Sequence, residues 1–223
     1  DRLLSEKAMD PAVVYGYFPV ISDGDSITIL HHGNDPQGIL GAPGILAPDG
    51  GSEGKIGSPR LSFDFPRQKR DRHLCLADFV KGSDSSQIDV MAFQLVTAGA
   101  NIDTFARTLF EGDSYRDYLE LNGLAMQLTE ALAEYWHSQI RAEWGYAGEE
   151  PTELSDILGV KYRGARFSLG YPACPEMEDR KKVVELLKPE RIGVELSEEL
   201  QLHPEQSTDA FVFHHPEAKY FSV

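Results

Sequence analysis

Cysteine, positive charge and long apolar runs are all scarce in this chain, and each shortage excludes a class of protein. Among 223 residues there are two cysteines, Cys75 and Cys174. That is too few for the disulfide framework of a small extracellular domain, and it fits a reducing, cytoplasmic location. Only 21 basic side chains stand against 36 acidic ones, a formal net charge of −15. Without a positive footprint, a nucleic-acid partner is not expected. No apolar run approaches the ~20 residues that span a bilayer, so no membrane partner is expected either. The start, Asp1-Arg2-Leu3-Leu4-Ser5-Glu6-Lys7, is charged and does not resemble a signal peptide. An Asp in first position predicts a fragment of a longer chain. What the chain does have is apolar bulk: 41% hydrophobic and 10% aromatic residues can build a core for one domain over 1–223.

The patterning alternates hairpins with blocks of helix. Residues 1–9 read as the last turns of a helix that Pro11 stops. Val13 to Phe18 and Ile27 to Leu30 are β-branched and aromatic runs flanking Ser22-Asp23-Gly24-Asp25, which carries hairpin-turn chemistry. Eight glycines with Pro36, Pro43 and Pro48 make 33–58 a long insertion without periodicity, and strand texture resumes at Leu61 to Phe65. Ile88 to Ala98 reads as a strand, and Asn101 to Phe110 as a helix. A much longer helix runs from Ser114 to Trp144 with Leu121, Ala125, Leu128, Leu132, Tyr135 and Ile140 as its buried stripe, and Gly123 as a point of close packing. Shorter helices at 152–158 and 178–187, and strands near Val194, Phe211 and Tyr220, complete the reading. The order predicts an α+β fold: a twisted, largely antiparallel sheet with flanking helices, and not a Rossmann fold.

Several chemical signals fail on spacing. The glycines of 33–58 match neither a Walker loop nor GxGxxG. Asp71-Arg72-His73 begins a DxHxxG corrin motif, but Leu76 stands where glycine is needed, and Leu74 to Ala77 reads as buried strand. Glu134-Tyr135-Trp136-His137 is half of a di-iron arrangement without a second half. His31-His32 and His214-His215 are neighbours on expected strands, so each pair points to opposite faces. With no CxxC, HExxH or GxSxG, no metal site is expected, and no catalytic acid, base or nucleophile is nominated.

Two segments retain chemical promise. Arg166-Phe167-Ser168-Leu169-Gly170-Tyr171-Pro172-Ala173-Cys174-Pro175 reads as a proline-stiffened loop able to hold backbone groups for a small ligand, with Arg166 offering a planar fork for a carboxylate. Its ordinary alternative is an arginine paired with a protein carboxylate. Phe213 to Phe221 reads as a Pro-turned edge strand whose two aromatics either present a platform to a planar ring or pack on the core.

These segments, with His73 to Phe79, Leu132 to Tyr135, Trp144-Gly145-Tyr146 and Tyr162 to Arg166, resemble in order the C-terminal activation domain of cobalamin-dependent methionine synthase. The resemblance implies an S-adenosylmethionine-binding domain supporting reductive methylation of cob(II)alamin to methylcobalamin. It implies that Arg166 holds the ligand carboxylate and that Ser168, with Gly170 beside it, makes a main-chain contact. It further implies that Glu130 lies near the sulfonium, that Tyr220 and Phe221 meet the adenosyl end, and that Tyr171 faces the corrin. An aspartate that holds the ligand's amino group lies upstream of Asp1 in that family, and Phe221 lacks a hydroxyl often found there; both predict weaker ligand binding. The implied partners are the cobalamin-binding domain of the same enzyme and flavodoxin or an equivalent reductase; the zinc of the full enzyme lies outside this chain. An alternative function is a module that only senses S-adenosylmethionine or docks partners. Separately, Arg67, Lys69, Arg70 and Arg72 form a basic cluster on an acidic chain, either a solvated turn or a docking patch for an acidic flavoprotein.

Overall fold

A computed structural model describes residues 8–31 and 58–223. The helix expected over 1–9 lies outside them, apart from Ala8 and Met9, which are not helical; the 33–58 insertion lies outside them but for Ser58. Nine-residue β4 (Asp89–Thr97) is the centre of the architecture. Every one of its residues is buried, because both faces of the sheet are covered there. Around it, β1 (Ala12–Asp23), β2 (Ser26–Leu30), β3 (Pro59–Asp64), β5 (Ala165–Phe167) and β8 (Ser207–Phe213) complete a six-stranded sheet in the order β3-β2-β1-β4-β8-β5. All five pairings are antiparallel. The hairpin turn is the expected one: Asp23 pairs with Ser26 across Gly24-Asp25, and Gly24 takes a φ of +59°.

Period-two alternation sorts side chains to the two faces. Val14, Phe18, Ile27, Ile29, Phe63, Phe93, Phe211 and Phe213 fill the main core with helix α4 (Asp179–Leu187). Tyr15, Tyr17, Val90, Ala92 and Val212 face the other way, against Ile140 of the long helix α2 (Tyr115–Glu143) and Trp144, which caps its C-terminus. Helix α1 (Asn101–Glu111) packs on the first half of α2 through Ile102, Ala106, Leu109, Leu121 and Ala125. Short α3 (Leu154–Leu158) precedes β5, and β6 (Glu195–Leu196) pairs with β7 (Leu202–His203) in a separate ribbon.

Four expectations change. The buried stripe of α2 is Leu121, Ala125, Thr129, Ala133, His137, Ile140 and Arg141; Leu128 and Tyr135 are exposed and Leu132 is half-buried. Gly123 packs against nothing, being open to solvent. Leu74 to Ala77 is not strand: Leu76–Phe79 forms a 3-10 turn. Nor is there a strand at Tyr220, since β8 ends at Phe213 and both His214 and His215 follow it. Pro216, which has no N–H to give a ladder, leads into a turn closed by the Ala218 N–H donating to the His215 carbonyl.

Candidate functional site

The segment around Arg166 begins as an edge strand, not as a loop throughout. Gly164, at φ +80°, makes this possible: a Cβ there would lie 2.2 Å from the Phe213 carbonyl oxygen, so only glycine lets the chain close onto β8. Register then places Arg166 opposite Val212, on the α2 face, while Ala165 and Phe167 enter the main core.

Arg166 meets two carboxylates from α2. Its Nη2 donates to Glu130 at 3.2 Å, and its Nε lies 3.5 Å from Glu134. One turn apart on one helix face, Glu130 and Glu134 reach the same guanidinium. Behind them is a buried polar layer. The Tyr162 hydroxyl donates to Glu134 at 3.1 Å, and Arg141 stacks on the Tyr162 ring, 3.7 Å from its centroid, while its fork clamps Glu150. His137 sits edge-on to the same ring. Burial above all, then Arg141, Arg166 and Lys219, push the His137 pKa well below its ordinary value. Burial and the Glu134 carboxylate raise that of Tyr162, so its hydroxyl remains a donor. The Glu-x-x-His pair thus turns inward to cations and a phenol. Among the described residues no group of three or more His, Cys, Asp or Glu side chains could hold a metal.

Past β5 the chain makes a tight turn. The Cys174 N–H donates to the Tyr171 carbonyl at 2.9 Å, the Gly170 N–H to the Cys174 carbonyl at 3.0 Å, and the Cys174 thiol to the Ser168 carbonyl at 3.0 Å. Gly170 has φ +93° and Ala173 and Cys174 are buried, so the turn is pinned from inside while Tyr171 stays exposed. Burial pushes the Cys174 thiol up to about 12, which keeps it protonated as a donor.

The last residues run beside this edge. Lys219 donates to the carbonyls of Val160 and Tyr162, and the Gln68 amide to that of Ser222. Tyr220 is exposed, stacked on Phe167 at 6.4 Å and edge-on to Tyr171 at 6.1 Å. Phe221 follows the core-packing alternative: it is 8% exposed and packs with Phe79 and Phe167, so its ring anchors the segment in the core. The structure therefore joins Arg166 of β5 to Glu130 of α2, and past the end of β5 it sets Tyr220 against Tyr171, next to Gly170. It adds Glu134 and Tyr162, which sequence reasoning did not select. The recurrence of Glu130 at i+4 was the available signal.

The basic cluster borders the C-terminal segment, with Arg72 on Glu217 and Gln68 on the Ser222 carbonyl, and is partly spent internally. Arg67 donates to Asp25 at 2.7 Å, to Asp78 at 2.8 Å and to the His73 carbonyl at 2.7 Å. Arg72 pairs with Glu217 at 2.7 Å. Lys69 and Arg70 are exposed, with no ion pair among the described residues.

Comparisons with known proteins place the whole chain in a known context. The family model described as "Vitamin B12 dependent methionine synthase, activation domain" matches residues 1–223. The chain is 50% identical over 235 aligned positions to methionine synthase of Mycobacterium tuberculosis, covering all of this chain and 18% of that protein. It is 51% identical over 222 positions to methionine synthase of Mycobacterium leprae, covering 95% and 17%. The crystal structure of the MetH reactivation domain bound to AdoHcy is similar at a TM-score of 0.81 and 29% identity, over the whole of this chain and 64% of that one. The chain thus spans less than a fifth of the curated relatives cited.

Proposed function

The chain belongs to the family of activation domains of vitamin B12-dependent methionine synthase, and from that premise we propose that it binds S-adenosylmethionine along the β5 edge. It would present the ligand's methyl group to cobalamin carried by another domain of the same enzyme. Arg166 is the observation that carries this reading. Its fork is one-fifth exposed and bonded to Glu130, a carboxylate free enough in solvent, at 58% exposure, to be displaced by the ligand's own. Glu130 and Glu134 supply negative charge for a sulfonium, and the outward ring of Tyr220 offers an apolar face to adenine. The backbone around Ser168 and Gly170 is rigid enough to make main-chain contacts, and exposed Tyr171 lies on the rim that would face the corrin.

The methyl leaves sulfur as a cation and its bond pair stays behind, giving S-adenosylhomocysteine. One electron from flavodoxin or an equivalent reductase balances the conversion of cob(II)alamin to methylcobalamin. The reaction would run in the cytoplasm, where the reductant is available. This chain's share is position and charge, and no side chain here has to accept or give a proton.

Calorimetric titration with S-adenosylmethionine tests the reading. The unmodified chain should bind, and Arg166→Ala should bind at least about tenfold more weakly, the scale of one charge-assisted pair. Equal affinities would remove Arg166 from the site. Mixing the chain with a cobalamin-loaded partner domain, S-adenosylmethionine and a reductant separates this function from mere sensing, since methylcobalamin should form only under the proposal.

A further inference from the structure

We propose that Glu134, held by the Tyr162 hydroxyl, is the positioning residue that sets the Arg166 guanidinium for the ligand's carboxylate; the inference rests on the ligand reading above. The two carboxylates that meet Arg166 are not equivalent. Glu130 is 58% exposed, and no other hydrogen bond or ion pair fixes its side chain among the described residues. Glu134 is 30% exposed and held from three sides: by the Tyr162 hydroxyl at 3.1 Å, by Arg166 Nε at 3.5 Å and by Arg141 Nη2 at 3.9 Å. Its anchor cannot easily move. The Tyr162 ring is 6% exposed, covered by the Arg141 guanidinium at 3.7 Å and by His137 at 5.4 Å. The Tyr162 carbonyl accepts from Lys219, whose neighbour Tyr220 is the exposed ring of the site.

This asymmetry divides the labour. Arginine has many rotamers, and freezing them when a ligand arrives weakens binding. Glu134, paired with Nε at 3.5 Å, restrains them beforehand, leaving the Nη1–Nη2 edge for a carboxylate once Glu130 yields Nη2. Tyr162 joins the two halves of the site: its hydroxyl sets the arginine through Glu134, and its carbonyl holds the segment that carries Tyr220.

The test is binding of S-adenosylhomocysteine to the unmodified chain, Glu134→Gln, Tyr162→Phe and the double variant. Tyr162→Phe deletes one oxygen and keeps the ring between Arg141 and His137, so it tests the device without emptying the core. Each single substitution should weaken binding by about tenfold. The double variant should be no weaker than Glu134→Gln, because the two side chains act in series on one guanidinium. 5′-Methylthioadenosine, which has no carboxylate, should not distinguish the four proteins, whereas a general structural defect would move it. Unchanged affinity in the single variants, or losses that multiply in the double, would overturn the inference. If the unmodified chain binds no S-adenosylhomocysteine, the ligand reading itself fails and takes this one with it.

Discussion

His137 is a histidine with nowhere to put a proton. It is fully buried, and neither ring nitrogen has a hydrogen-bond partner among the described residues. Burial, with Arg141, Arg166 and Lys219 around it, holds its pKa well below the ordinary 6.5. In the folded protein it therefore stays neutral at pH 6, while in the unfolded chain it gains a proton as pH falls through about 6.5. The unfolded state binds more protons in that window, so stability is full above it and declines below it, by up to about 1.4 kcal/mol per pH unit. Urea unfolding at pH 7.5 and pH 5.5 should show this decline in the unmodified protein and a smaller one in His137→Gln. Burial lowers the pKa of His215 too, but that residue titrates alike in both proteins and cancels from the comparison. Identical declines would mean that His137 is already charged in the fold. At this scale the motif singled out Arg166 as a candidate, but not the two carboxylates of α2 that it meets. The place of Phe221 was not legible: a strand of aromatics does not say which ring turns inward, and only the packing with Phe79 decides it.

Strand β5 is three residues long and owes its place to the glycine before it. A methyl on Gly164 would meet the Phe213 carbonyl oxygen at 2.2 Å, a backbone atom that β8 holds in register, and φ +80° would be strained for alanine. Gly164→Ala should cost about 2–4 kcal/mol of unfolding free energy. It should also weaken S-adenosylmethionine binding, because Arg166 rides on the displaced strand. A variant as stable as the unmodified chain would mean that the edge adapts. Helix α2 shows why elements are more legible than their faces. Its extent, Tyr115–Glu143, followed from periodicity and lies within a residue of the expected 114–144. Its buried side did not, since counting leucines favours Leu128 and Leu132. The true stripe includes Thr129, His137 and Arg141, which are buried because they find partners or rings beneath the site: Thr129 on the Gln206 carbonyl, Arg141 on Glu150, His137 on Tyr162. Hydrophobic patterning has no access to partners that distant segments supply.

Across the whole chain, a net charge of −15 would oppose approach by an acidic reductase such as the one proposed above, so docking on this chain would need a local exception to the global field. Arg67 does not provide one, because its guanidinium is bound by Asp25 and Asp78; it braces the turn that carries the exposed charges. Lys69 and Arg70 are those charges, outward-facing and without ion pairs among the described residues. Two ranges then compete. Repulsion from the acidic body acts over long distances and fades first as salt shortens the Debye length to about 10 Å at 0.1 M. Attraction at the Lys69–Arg70 patch acts across a short gap and fades later. The rate of flavodoxin-supported methylcobalamin formation, measured with a cobalamin-loaded partner domain at subsaturating flavodoxin, should therefore pass through a maximum as ionic strength rises. With Lys69→Glu and Arg70→Glu together the attractive part is gone, and the rate should start lower and only increase with salt. S-adenosylmethionine affinity should be the same in both proteins, since neither residue belongs to the Arg166 layer. A monotonic rise already in the unmodified chain would eliminate the patch as a docking surface while leaving the ligand site intact.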